Sequence, residues 1–102
     1  MRLNHKVAII TGSASGIGRA SAIMFAKEGA KVVVSDINDV GGKETVNAIK
    51  LNHGEAIYIH TDVAIASEIE HLIKATLDAF GKIDILFNNA GYYIRTKENG
   101  TP

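Results

Sequence analysis

The stretch that decides the fold is AIITGSASGIGRASA, residues Ala8 to Ala22. It opens on apolar, β-branched residues, passes through a glycine-rich junction and runs on into a helix-length segment. At a turn from strand to helix the three glycines meet three needs. Gly12 lets the chain bend sharply, Gly16 lets a pyrophosphate approach the backbone, and Gly18 lets helix and strand pack closely. The free N–H groups and positive dipole end of the new helix favour phosphate. The alternative is a tight turn without a ligand; a strand before it and a helix after it weigh against that. A P-loop needs Gly-Lys-Ser/Thr opening the helix, whereas Gly18 is followed by Arg19-Ala20. A methyltransferase turn usually carries an acid just before its first glycine; here that place is Ile10-Thr11.

Working outward, Val7–Ile10, Val32–Val34, Ala56–Ile59 and Ile83–Phe87 are short apolar runs that suit strands of a parallel sheet. Helix-length segments separate them. The clearest carries Ile65, Ile69, Leu72, Ile73, Thr76, Leu77 and Phe80, a stripe on one helical face. Ser67 and Glu70 are spaced as its capping box. Gly29, Gly54 and Gly81 each follow a helical segment, where a left-handed residue closes a helix. Met24 and Phe25 are expected in the core. Strands alternating with helices predict an α/β fold with a parallel sheet and right-handed crossovers.

Composition bounds the function. The 102 residues are 46% hydrophobic and 22% charged, with 11 basic and 11 acidic residues. A neutral chain lacks the basic excess of a nucleic-acid binder. The absence of cysteine excludes disulfides and thiol chemistry. No apolar run has the length of a signal-peptide core or a membrane span, so the expectation is a soluble, cytoplasmic protein with no membrane partner. The four histidines are scattered, without metal-ligand spacing.

Asp36 ends the second apolar run, eighteen positions after Gly18. A carboxylate there can accept both hydroxyls of an adenosine ribose and would repel the extra phosphate of NADP. The neighbouring Ser13, Ser15, Ser35 and Ile37 bring no cation to offset it, which favours NAD. A solvated strand-end aspartate is the plain alternative. Asp62-Val63 follows the third run. Its acid could accept from an adenine amino group, or equally sit at a helix N-terminus favoured by the dipole.

Thr11-Gly12-x-x-x-Gly16-Ile17-Gly18, Asp36, Asp62-Val63 and Asn88-Asn89-Ala90-Gly91, in this order and spacing, resemble the classical short-chain dehydrogenases/reductases across about residues 5 to 91. The resemblance implies a Rossmann-like, doubly wound parallel sheet of strand order 3-2-1-4, truncated after the fourth strand. Residues 1–91 would be an NAD-binding half-domain, and 92–102 a polar tail leading to a missing second half. Gly12, Ser13, Ser15, Gly16, Ile17 and Gly18 would hold the pyrophosphate. Asp36, with Ile37 beside it, would hold the adenosine ribose, and Asp62 and Val63 the adenine. Asn89, Ala90 and Gly91 would lie near the nicotinamide, with Asn88 stabilising the sheet. The family transfers a hydride between nicotinamide C4 and an alcohol or carbonyl carbon. A tyrosine acts as acid/base, a lysine four residues on lowers its pKa, and a serine orients the substrate.

Tyr93 and Lys97 have that spacing, but they follow the fourth run directly, in a polar tail, and no serine occurs after Ser67. The tail reads as a solvated loop, so no catalytic residue is expected and the chain alone should be inactive. A non-catalytic dinucleotide-binding module and a non-binding remnant are the rival readings. An exposed fourth-strand edge is expected to support a homo-oligomer.

Overall fold

The computed structural model describes residues 1–90. Val7–Thr11 forms β1, buried along its whole length. The chain then alternates through α1 (Gly16–Lys27), β2 (Lys31–Asp36), α2 (Asp39–Leu51), β3 (Glu55–His60), α3 (Ala66–Phe80) and β4 (Ile85–Asn88). All pairings are parallel and the strand order is β3-β2-β1-β4, as the sequence predicts. The order reverses beside β1: the chain first winds toward β3, then returns to place β4 on β1's other side. Thr11 registers with Ser35 and Asn88, and Asp36 with His60. The strands therefore end nearly level, and the loops after them share one edge of the sheet.

Strand alternation sends successive side chains to opposite faces. Ala8, Ile10, Val32, Val34 and Ala56 meet Ala22 of α1 and Val46 and Ile49 of α2. Ile9, Val33 and Ile59 meet Leu72 of α3 on the other face. Each fully buried Val, Ile or Leu contributes roughly 1.5–3 kcal/mol. Burial thins toward β4, whose residues are alternately half-buried and exposed. Phe25 stacks on Phe87 with ring centroids 6.3 Å apart. Met24, expected in the core, is instead 63% exposed. It lies beside Arg2, Leu3, Glu28 and Ile85, where no element among the described residues covers it.

Two helix ends depart from the sequence reading. Helix α3 starts before the expected capping box: its N-cap is Ile65, without a side-chain cap bond. A turn at Asp62 starts it early, with the Ile65 N–H donating to the Asp62 carbonyl and the Ala64 N–H to Asp62 Oδ1. Glu68 reaches back, accepting from the Asp62 N–H at 2.7 Å. After α2 the left-handed residue is His53, at φ 66°, not Gly54. Gly54 answers a close approach, because a Cβ there would lie 2.7 Å from Ile49 Cγ2.

Candidate functional site

The glycine turn joins β1 to α1, and its three glycines differ in kind. Gly12 has φ 67°, and a Cβ on it would press on Ala90 N and Asn89 Nδ2, each at 3.1 Å. Gly18 has no room at all, since a Cβ would fall 1.9 Å from the Gly12 carbonyl oxygen. Gly16 has φ 57°, and a Cβ there would meet nothing within 4 Å. Open space therefore stands over the start of α1.

That helix start is unlike the next one. Ser15 is the N-cap of α1 but makes no capping bond, and the first turn carries no acid. No acceptor among the described residues takes the N–H of Gly16, Ile17 or Gly18. By contrast, α2 is capped by Asn38 Oδ1, which accepts from the Gly41 N–H at 3.0 Å, and has Asp39 in its first turn. Unpaired N–H groups at a dipole's positive end favour an anion.

The turn is held from behind. Ser13 is buried; its hydroxyl donates to the Ile10 carbonyl at 2.6 Å and accepts from the Ser35 N–H at 3.0 Å. The Arg19 guanidinium donates to the Ala14 carbonyl at 2.6 Å and to Thr45 Oγ1 at 2.9 Å. Thr45 in turn donates to the Ser13 carbonyl at 2.8 Å. Arg19 also pairs with the exposed Glu44 at 3.2 Å.

A cleft of about 260 Å³ opens at the carboxyl ends of the strands. Gly12 after β1, Asp36 and Ile37 at β2, Thr61, Asp62 and Val63 after β3, and Asn89 and Ala90 after β4 line it. The Asp36 carboxylate is fixed by three backbone donors: Ala14 N–H on Oδ2 at 3.0 Å, and Ile37 and Asn38 N–H on Oδ1 at 2.7 and 3.0 Å. Across the cleft Asn89 Nδ2 donates to the Gly12 carbonyl at 3.2 Å. Thr11 Oγ1 donates to Asn88 Oδ1 and accepts from the Ala90 N–H, both at 3.1 Å. These bonds fasten the β4 end to the glycine turn where the strand order reverses.

Behind Asp36 lies a second polar group. Tyr58 Oη sits 2.8 Å from the Asp36 carbonyl and 2.6 Å from Asp39 Oδ1. His60 Nδ1 is 2.7 Å from the same Asp39 oxygen. The hydrogen bonds from Tyr58 and His60 hold the Asp39 carboxyl below its usual range. Burial and the bond to Asp39 push the Tyr58 phenol up. The bond to Asp39 raises the His60 imidazole.

Of the residues singled out in the sequence, Gly12, Asp36, Ile37, Asp62, Val63, Asn89 and Ala90 share the cleft. Ser15, Gly16 and Ile17 are exposed at the start of α1. Ser13 and Gly18 are buried beneath the turn. Gly91, Tyr93 and Lys97 lie outside the described residues. Sequence reading named Thr11 only as part of the glycine motif and missed Arg19, Thr45, Thr61 and the Tyr58–Asp39–His60 group; the polar residues among the apolar ones of β3 were the available signal.

An open α/β sheet with a glycine turn beside its point of strand reversal is a Rossmann-like doubly wound domain. Residues 6–101 match the family model described as short chain dehydrogenase, and the chain belongs to that family. It is 50% identical over 91 residues to an uncharacterized oxidoreductase of Thermotoga maritima, covering 89% of this chain and 36% of that protein. The crystal structure of a hydroxysteroid dehydrogenase from Escherichia coli superposes with TM-score 0.87 at 44% identity, covering 89% of this chain and 39% of that one. A short chain dehydrogenase/reductase from Burkholderia phymatum in complex with NAD gives TM-score 0.81 at 37% identity, covering 84% and 31%. The chain spans about a third of the length of the curated relatives it matches.

Proposed function

We propose that this chain is the NAD-binding portion of a short-chain oxidoreductase, with the adenosine half of the dinucleotide in the cleft and its pyrophosphate over the start of α1. The observation that carries this is the pairing of open space at Gly16 with unanswered N–H groups at Gly16, Ile17 and Gly18, next to a cleft that ends on Asp36. An ionised carboxylate offers roughly four acceptor positions. Three are engaged at Asp36, so one ribose hydroxyl, not both as expected, would donate to the remaining position on Oδ2, beside the Ala14 N–H. Ile37 and Val63 supply apolar contact for an adenine between β2 and β3, with Asp62 beside it. Asn89, Ala90 and Gly91 would approach the nicotinamide ribose. When bound, the dinucleotide supplies the hydride chemistry; the residues of this chain bind and orient it.

The chain by itself is not expected to catalyse hydride transfer. Tyr58 is the tyrosine among the described residues, and its hydroxyl is committed to Asp39. Its pKa is pushed up, against what a general base requires. Residues 1–91 form the binding half in this reading.

Titration with NAD and NADP tests the assignment. Two unit charges about 4 Å apart interact by about 4 kcal/mol at an effective dielectric of 20, so Asp36→Ala should narrow the NAD/NADP gap by about tenfold or more while weakening NAD. An unchanged ratio would remove Asp36 from the site.

A further inference from the structure

We propose that His60 is a pH-dependent selector at the adenosine end of the cleft, admitting a 2′-phosphate more readily when protonated and excluding it when neutral. The inference rests on the dinucleotide reading above.

Its basis is position. His60 is the register partner of Asp36 on the neighbouring strand. Register partners in a parallel sheet present their side chains to the same face. Both therefore lie on the face that carries α1 and α2. His60 Nδ1 meets Asp39 Oδ1, and Tyr58 links that carboxylate to the Asp36 carbonyl. The imidazole thus belongs to a bonded group beneath the residue assigned to the ribose.

The charges around it are almost all negative. Asp39 comes from α2, and Asp62 and Glu68 from the β3–α3 connection and α3, with Glu68 Oε1 4.0 Å from His60 Nε2; Asp36 stands at the register position on the neighbouring strand. Lys43 on α2 is the cation that acts on Asp39. Arg19, the cation at the glycine turn, is held by the Ala14 and Gly41 carbonyls, Thr45 and Glu44. Protonated His60 is a positive charge that comes and goes with pH, one strand from Asp36, and it offsets carboxylates that repel a 2′-phosphate. Asp39 and Glu68 raise its affinity for the proton, so the charged form persists above the ordinary imidazole range.

The sign follows from linkage. A 2′-phosphate binds better to the protonated form, so NADP affinity falls as pH rises through the His60 transition. NAD carries no charge at that position and changes less. The NAD/NADP preference should therefore grow with pH.

The experiment is titration of the 102-residue chain and its His60→Gln variant with NAD and NADP, from about pH 5.5 to about pH 8.5, a window that brackets imidazole ionisation. The 2′-phosphate has its own ionisation near about pH 6, common to both proteins. The quantity read is thus the difference between their two profiles. The preference should rise about three- to fivefold more in wild type than in His60→Gln, a screened single-charge effect, and should shrink as salt is added. Asp39→Asn serves as the second variant and should move the transition to lower pH. Parallel profiles for wild type and His60→Gln, with both dinucleotides binding, would overturn this inference alone. Failure of both dinucleotides to bind at every pH would overturn it together with the reading beneath it.

Discussion

Replacing Gly18 and Gly16 by alanine, one at a time, separates what the fold needs from what the ligand needs. At Gly18 the added Cβ would lie 1.9 Å from the Gly12 carbonyl oxygen, 2.7 Å from its carbon and 2.8 Å from Asn89 Nδ2. Two of those neighbours are backbone and cannot swing away, so α1 must back off from the turn. Overpacking of this kind costs about 1–3 kcal/mol. Displacing Gly12 also strains the Asn89–Gly12 bond, which contributes about 1 kcal/mol. The sum, roughly 2–4 kcal/mol, is a large part of the 5–15 kcal/mol that holds a typical domain together. Urea unfolding followed by circular dichroism should show the midpoint falling by on the order of 1–3 M. At Gly16 the Cβ meets no neighbour, and the cost is confined to the left-handed backbone, about 1–2 kcal/mol. Gly16→Ala should stay folded yet bind NAD at least about tenfold more weakly, because the methyl group enters the space assigned to the pyrophosphate. A Gly18→Ala protein with the wild-type midpoint, or a Gly16→Ala protein with unchanged NAD affinity, would refute the division of roles.

Two further outcomes follow from other parts of the fold. The Asp84 carboxylate accepts from the Val7 N–H at 2.9 Å and pairs with Lys82 at 3.1 Å, which hold it below its usual range. A depressed carboxyl stabilises the fold above its unfolded value, about pH 4, and loses that contribution as pH falls through the folded value. Asp84→Ala should therefore lower the urea midpoint at neutral pH, with the gap to wild type closing in acid; a gap constant with pH would contradict this. At β4, Leu86 is 57% exposed beside a strand edge with no partner among the described residues. Sedimentation should show concentration-dependent association that Leu86→Lys reduces; equal association by both proteins would remove the β4 edge as the interface.

What could be read from the sequence was whatever depends on local pattern. The glycine turn was legible because its three glycines are closely spaced in one local stretch, although the reasons differ: crowding at Gly12 and Gly18, and a left-handed backbone under open space at Gly16. Asp36 was legible because strand length fixes where β2 ends. The alternating apolar runs were enough for a parallel sheet, and its order, β3-β2-β1-β4, came from the family resemblance of the motifs. The clasp of Arg19 on Thr45 and Ala14 was not legible, since it joins helices 26 residues apart through a side chain that reads as ordinary surface. Tyr58 and His60 read as strand residues, and only pairing β3 beside β2 brings them to Asp36 and Asp39. The capping box at Ser67 failed because the Asp62 turn starts α3 at Ala66, which places Glu68, not Glu70, within reach of the chain behind it. Gly54 was assigned the left-handed position that His53 occupies, because φ and crowding both select glycine and the sequence does not distinguish them.

The central claim, that the cleft at the strand ends receives a dinucleotide with its phosphates over α1, is tested most directly by amide NMR of the chain titrated with NAD. The account predicts shifts at Gly16, Ile17 and Gly18, at Ala14 where a ribose hydroxyl would share its Asp36 acceptor, and at Ile37, Val63 and Ala90 around the cleft. Ile73 and Leu77 on α3 should stay in place. Amides of Gly16 to Gly18 that do not move at saturating NAD, or shifts gathered on α3 instead, would contradict it.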